Sequence, residues 1–142
     1  MRQPLLSVPL LAATLSLAAC VSPLPPHDPG QAWIDMQAQP DTQLGADEVD
    51  GVDWPDRRYF QVYPGAHRLQ VRFGFEVPGG GMGPSSEPIW RTCILEVKYA
   101  EFAAGQRYRL EVRPVAHRAM GRLLTADGKR VARAEMRRCG AW

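Results

Sequence analysis

The side chains of this 142-residue chain that could do chemistry are three cysteines, three histidines and the serine pair Ser85-Ser86. Spacing decides what they can do. Zinc takes four ligands at short local intervals, whereas His27, His67 and His117 are isolated, with no CxxC or HxxxH. Ser85 and Ser86 fit no G-x-S-x-G elbow, so a hydrolase would need the fold to bring His67 or His117 to a serine or a carboxylate. The run Asp47-Glu48-Val49-Asp50-Gly51-Val52-Asp53 fails the calcium-loop pattern: with Gly51 sixth, Ala46 is first and Arg57 twelfth. It reads as a solvated edge or turn. The glycine-rich tract 78–88 lacks the Gly-Lys-Ser/Thr ending of a phosphate-binding loop and reads as a hairpin connection. No catalytic set, metal site or cofactor motif emerges, and the expectation is a non-enzymatic module.

Charge offers a different chemistry. The net charge of +2, with no basic block interleaved with aromatics, argues against a nucleic-acid partner. The distribution is uneven: residues 21–56 hold eight acids and no Lys or Arg, while residues 105–142 hold ten bases and three acids. The two segments could lie side by side and neutralise each other. Alternatively, Arg107, Arg109 and Arg113, on one face of a strand, form a patch for anionic material such as lipid phosphates or peptidoglycan carboxylates. Trp33, Trp54, Trp90 and Trp142 could pack in a core or line a glycan-stacking surface.

The elements that must position these groups are strands. In 67–77 the apolar residues Leu69, Val71, Phe73, Phe75 and Val77 occupy every second place, as a strand with one buried face requires. Cys93, Leu95, Val97 and Tyr99 repeat the pattern, as do Tyr108, Leu110 and Val112 against Arg107, Arg109, Glu111 and Arg113. Strands are predicted over 31–37, 47–53, 58–63, 67–77, 89–99, 107–113, 118–125 and 129–137. Asp127-Gly128 marks a hairpin, and Pro64-Gly65 marks a turn better suited to crossing between sheets. The composition, 45% hydrophobic and 23% charged, suits one core. The predicted fold is all-β, a single antiparallel β-sandwich of seven to eight strands.

The N-terminus sets the address. After Arg2 comes an uncharged apolar stretch over 5–17, the length of a signal-peptide core, then Ala18-Ala19. A spanning helix is the rival, opposed by Pro9 and the prolines that follow. Leu17-Ala18-Ala19-Cys20 resembles the lipobox of bacterial lipoproteins, which implies cleavage before Cys20 and acylation there. Several acyl chains would hold the protein on a membrane almost permanently. The absence of aspartate after Cys20 implies, by the same resemblance, the outer membrane on its periplasmic side.

With Cys20 acylated, Cys93 and Cys139 remain, and outside the cytoplasm an even pair reads as a disulfide. The expected layout is a signal peptide over 1–19, a lipid anchor and proline-rich linker over 20–30, and a β domain over 31–142. Pro23, Pro25, Pro26 and Pro29 would make that linker a stalk reaching roughly 30 Å at about 3.1 Å per residue. Asp50-Gly51 and the stretch Pro64-Gly65-Ala66-His67-Arg68-Leu69-Gln70-Val71 resemble PEGA-type surface domains, which implies a structural or adhesive role. The expectation is a lipid-anchored envelope module that binds an envelope protein, peptidoglycan or lipid phosphate. A small envelope hydrolase or a glycan-binding lipoprotein is the alternative.

Overall fold

The structure, a computed structural model, describes residues 22–81 and 87–140. Residues 1–19, Cys20, Ser85, Ser86 and Trp142 lie outside the described residues. Among the described residues there are nine strands and no helix: β1 Ala32–Gln37, β2 Gln43–Val49, β3 Val52–Asp53, β4 Tyr59–Val62, β5 Gly65–Val77, β6 Ile89–Phe102, β7 Arg107–Val115, β8 Arg118–Thr125 and β9 Arg130–Gly140. Period-two patterning places seven of them, all but β2 and β3, over the expected ranges. In β5, Leu69, Val71 and Phe73 are fully buried, and Leu95, Val97, Leu110 and Leu123 join them from β6, β7 and β8. Each large apolar side chain so buried contributes about 1.5–3 kcal/mol.

The expectation of an all-β chain holds, but the assembly differs from an antiparallel sandwich. The strands form one curled sheet in the order β3-β2-β5-β6-β9-β8-β7-β1-β4. Neighbours are antiparallel except β1 and β7, which pair in parallel with Trp33 opposite Arg107 and Gln37 opposite Glu111. The curl brings the two ends of the sheet together, because the Ala46 N–H in β2 donates to the Arg57 carbonyl just before β4 (3.0 Å). The register shifts at Ala46/Glu48, Gly65/His67, Ile94/Leu95 and Leu123/Leu124, irregularities of the kind that increase local twist. One curled sheet with a single apolar interior buries the same alternating face that two stacked sheets would, so the pattern alone does not separate them.

The strand expected over 47–53 is two strands. Asp50 and Gly51 both have positive φ (52° and 83°), the requirement of a two-residue hairpin turn, and the chain doubles back from β2 into β3. Asp127-Gly128 turns β8 into β9 as expected, with Gly128 at φ 87°. Pro64-Gly65 joins β4, at one edge of the sheet, to β5, third from the other edge.

Two further contacts shape the molecule. Cys93 in β6 and Cys139 in β9 are register partners and form a disulfide. The proline-rich segment does not stand free over its described part. Arg58 Nη1 donates to the Ser22 carbonyl (2.6 Å) and the Asp28 N–H donates to Gln61 Oε1 (2.9 Å), so residues 22–28 lie along β4.

Candidate functional site

Alternation in β7 turns Tyr108, Leu110 and Val112 into the core and leaves Arg107, Arg109, Glu111 and Arg113 on the other face. These three arginines do not form one free patch. The parallel pairing of β1 with β7 carries Asp35 to Arg107 (3.0 Å), whose guanidinium also lies over the Trp33 ring, 5.3 Å from its centroid. Arg109 is held by Glu111 (2.9 Å). Glu111 also receives Arg122 from β8, its register partner (2.8 Å). Partial burial works to raise the Glu111 carboxyl, but hydrogen bonds and charge from Arg122 and then Arg109 outweigh it and hold the group below the ordinary glutamate value.

Arg113 is the one of the three that is left without a carboxylate, and the fold gives it new company. A groove of about 490 Å³ runs over β7, β8 and β9, with Arg113, Arg122, Arg130 and Arg133 lining it against Glu111, and Gln37 at the end of β1 closing one side. Arg122 and Arg133 are opposite each other in the β8–β9 hairpin. Among the described residues, Arg113, Arg130 and Arg133 make no ion pair. Four guanidinium groups facing one carboxylate leave the groove strongly positive, and each can grip an oxyanion with two parallel N–H bonds. Gly121 sets the geometry. A Cβ there would meet the Ala134 Cβ at 2.7 Å and the Glu111 carbonyl at 3.1 Å, so only glycine lets β8 lie this close to its neighbours.

The sequence carries a signal for Arg122 and Arg133: counting outward in register from Asp127-Gly128 sets Arg122 across from Arg133, on the same face as Glu111 in β7. Arg130, an odd number of places from Arg133, has no such signal, and the register between the two strands shifts at Leu123/Leu124. Of the acidic N-terminal segment, Asp35 reaches this region by pairing with Arg107, whereas Asp47 pairs with Arg72 (3.2 Å) and Asp56 with Arg58 (2.6 Å).

His67 is held in structural contacts. His67 does meet a carboxylate: Nδ1 is 2.6 Å from Asp50 Oδ2, and Nε2 is 2.9 Å from the Tyr63 carbonyl. Both ring nitrogens are therefore occupied. Asp50 also accepts the Arg68 N–H (2.8 Å), and together these bonds tie the β2–β3 turn to the start of β5. Partial burial pushes the Asp50 carboxyl up, but the Arg68 N–H and His67 more than offset it, and the group sits below its ordinary value. No group of three or more His, Cys, Asp or Glu side chains among the described residues could hold a metal ion.

Among the described residues, Trp33, Trp54 and Trp90 do not share one surface. Trp33 is buried and stacked on Tyr59 (centroids 4.2 Å apart, planes 4° apart), and Trp54 meets the same Tyr59 edge-on. Trp90 is apart from them, on a small pocket of about 160 Å³ with Arg57 and Arg72, its indole filling the space over Gly74 where a Cβ would clash at 2.5 Å. Comparison of the chain with protein-family models, with curated proteins and with solved structures finds no match in any of the three.

Proposed function

We propose that the protein is a lipid-anchored module of the bacterial cell envelope that binds anionic material through the arginine groove of β7, β8 and β9. In this reading residues 1–19 are a cleaved signal peptide, and Cys20 carries the acyl chains in the outer membrane. The β domain faces the periplasm and acts by binding, with no chemical step. The observation that carries the reading is the unpaired charge of Arg113, Arg130 and Arg133 gathered in one groove. Arginines on a flat sheet usually find carboxylates or spread into solvent, and here three converge beside a fourth.

The test is co-sedimentation of the purified protein with peptidoglycan sacculi and with anionic phospholipid vesicles, in low and high salt. Wild type is compared with the Arg113→Ala/Arg130→Ala/Arg133→Ala variant. A hydrogen bond to a charged group is worth about 1.5–3 kcal/mol. Loss of three is expected to weaken low-salt binding by at least roughly tenfold for the material that is bound. Binding that is unchanged in the variant, or insensitive to salt, would remove the proposal.

A glycan-binding reading has one observation in its favour, the partly exposed Trp90 indole flanked by Arg57 and Arg72. It expects Trp90→Ala, and not the triple arginine variant, to abolish retention on a peptidoglycan column.

A further inference from the structure

We infer that one end of the curled sheet is a membrane-seated surface, with Val115, Met120, Ile89 and Trp90 placed at the lipid interface and Arg113 and Arg118 set against anionic headgroups. The inference rests on the reading of Cys20 as a lipid anchor, and it adds an orientation and a lipid partner.

Strand register defines the end. β4 runs opposite to β1, with Val62 beside Ala32 and Tyr59 beside Asp35. β1 and β7 are parallel, so moving from Ala32 to Gln37 is moving from Arg107 toward Val115. Residues 28 back to 22 follow β4 in the same sense, from Gln61 to Arg58. The N-terminal segment therefore leaves the domain toward the β7–β8 turn, and only Val21 lies between Ser22 and Cys20. At no more than about 3.6 Å per residue those two steps along the chain can add only about 7 Å. With residues 22–28 held against β4, the 30 Å stalk is not available to lift the domain clear.

The surface at that end suits a leaflet. Val115 pairs with Arg118 and Arg113 with Met120, which makes a contiguous square of two apolar and two basic side chains on the exposed face of the β7–β8 hairpin. Met120 is 54% exposed and Val115 39%. Ile89 and Trp90, also partly exposed, begin β6, whose pairing through β9 puts its start toward the same end. Apolar side chains interleaved with arginine are what an interface of acyl chains and phosphates accepts. Val52 and Tyr63, also exposed, stand toward the opposite end. Exposed carboxylates stand at both ends, Glu76 opposite Trp90 and Asp53 beside Val52, so what sets the β7–β8 end apart is its square of apolar and basic side chains.

Photo-crosslinking in intact envelopes tests the orientation. A benzophenone side chain replaces Met120, Ile89, Val52 or Tyr63 in the full chain, and lipid adducts are quantified by mass spectrometry alongside the N-terminal peptide. All four sites are exposed, and equal disulfide content in the four proteins verifies folding. Lipid adducts at Met120 and Ile89 several-fold above those at Val52 and Tyr63 are expected. The same labelling at Met120 is expected to drop in low salt when Arg113→Glu and Arg118→Glu are added. Equal labelling at both ends with an acylated Cys20 overturns the orientation and leaves the anchor standing. An N-terminus without acyl chains overturns both.

Discussion

Glu111 sets the strength of the groove, because it is the carboxylate that Arg109 and Arg122 share at the point where four arginines meet. Glu111→Gln removes that counter-charge while keeping the shape. Anion binding at low salt is expected to tighten several-fold and to depend more steeply on salt, as read by titration at two ionic strengths. Asp50 carries the corresponding statement about stability. Its folded carboxyl lies below the unfolded value of about 3.9, so its contribution is present above that pH and is lost as the pH falls through the lowered folded value. Asp50→Asn is expected to lower the thermal midpoint at pH 7 and to match wild type at strongly acidic pH. A constant difference across the acid range would contradict this, and would assign the effect to turn geometry instead of charge. His67 is held by Asp50, a partner that local sequence does not reveal, because 17 residues and a chain reversal separate the two.

At the scale of elements, β8 shows how a side-chain absence organises a site. Gly121→Ala drives a Cβ against Ala134 and the Glu111 carbonyl, and overpacking of this kind costs about 1–3 kcal/mol. Adding Ala134→Gly is expected to restore part of the loss in denaturant melts, whereas a simple loss of glycine flexibility would not be rescued. The Cys93–Cys139 bridge closes a loop of 46 residues and staples β9 to β6. The chain-entropy account puts its worth at about 4 kcal/mol. Reduction is expected to lower the denaturant midpoint accordingly and to speed amide exchange first at the end of β9. The long strands were legible because each buries one face, which prints a period of two on the residues. The β2–β3 hairpin was not, because six of its seven residues from Asp47 to Asp53 are acidic or valine and no core-facing alternation separates the two arms. Only the Asp50-Gly51 pair, with both φ values positive, marks the reversal.

At the scale of the molecule, the segment before β1 decides how the domain is held. Arg58→Ala removes the Ser22 contact, and limited proteolysis within residues 22–28 is expected to accelerate while the β domain keeps its melting temperature. Unchanged cleavage would mean that the Gln61 contact alone secures the segment. Composition and local pattern by themselves determined that the described residues are all-β, which residues face inward and where the Asp127-Gly128 turn falls. Those features depend on nearest neighbours along the chain and on one buried face. Tertiary structure alone decided that the strands close into one curled sheet, that β1 lies parallel to β7, and that Asp35 and Glu111 engage Arg107 and Arg109. It also left Arg113 to join Arg122, Arg130 and Arg133. Strand order and register join residues dozens of positions apart, and a period of two is the same for every order in which the strands can be laid side by side.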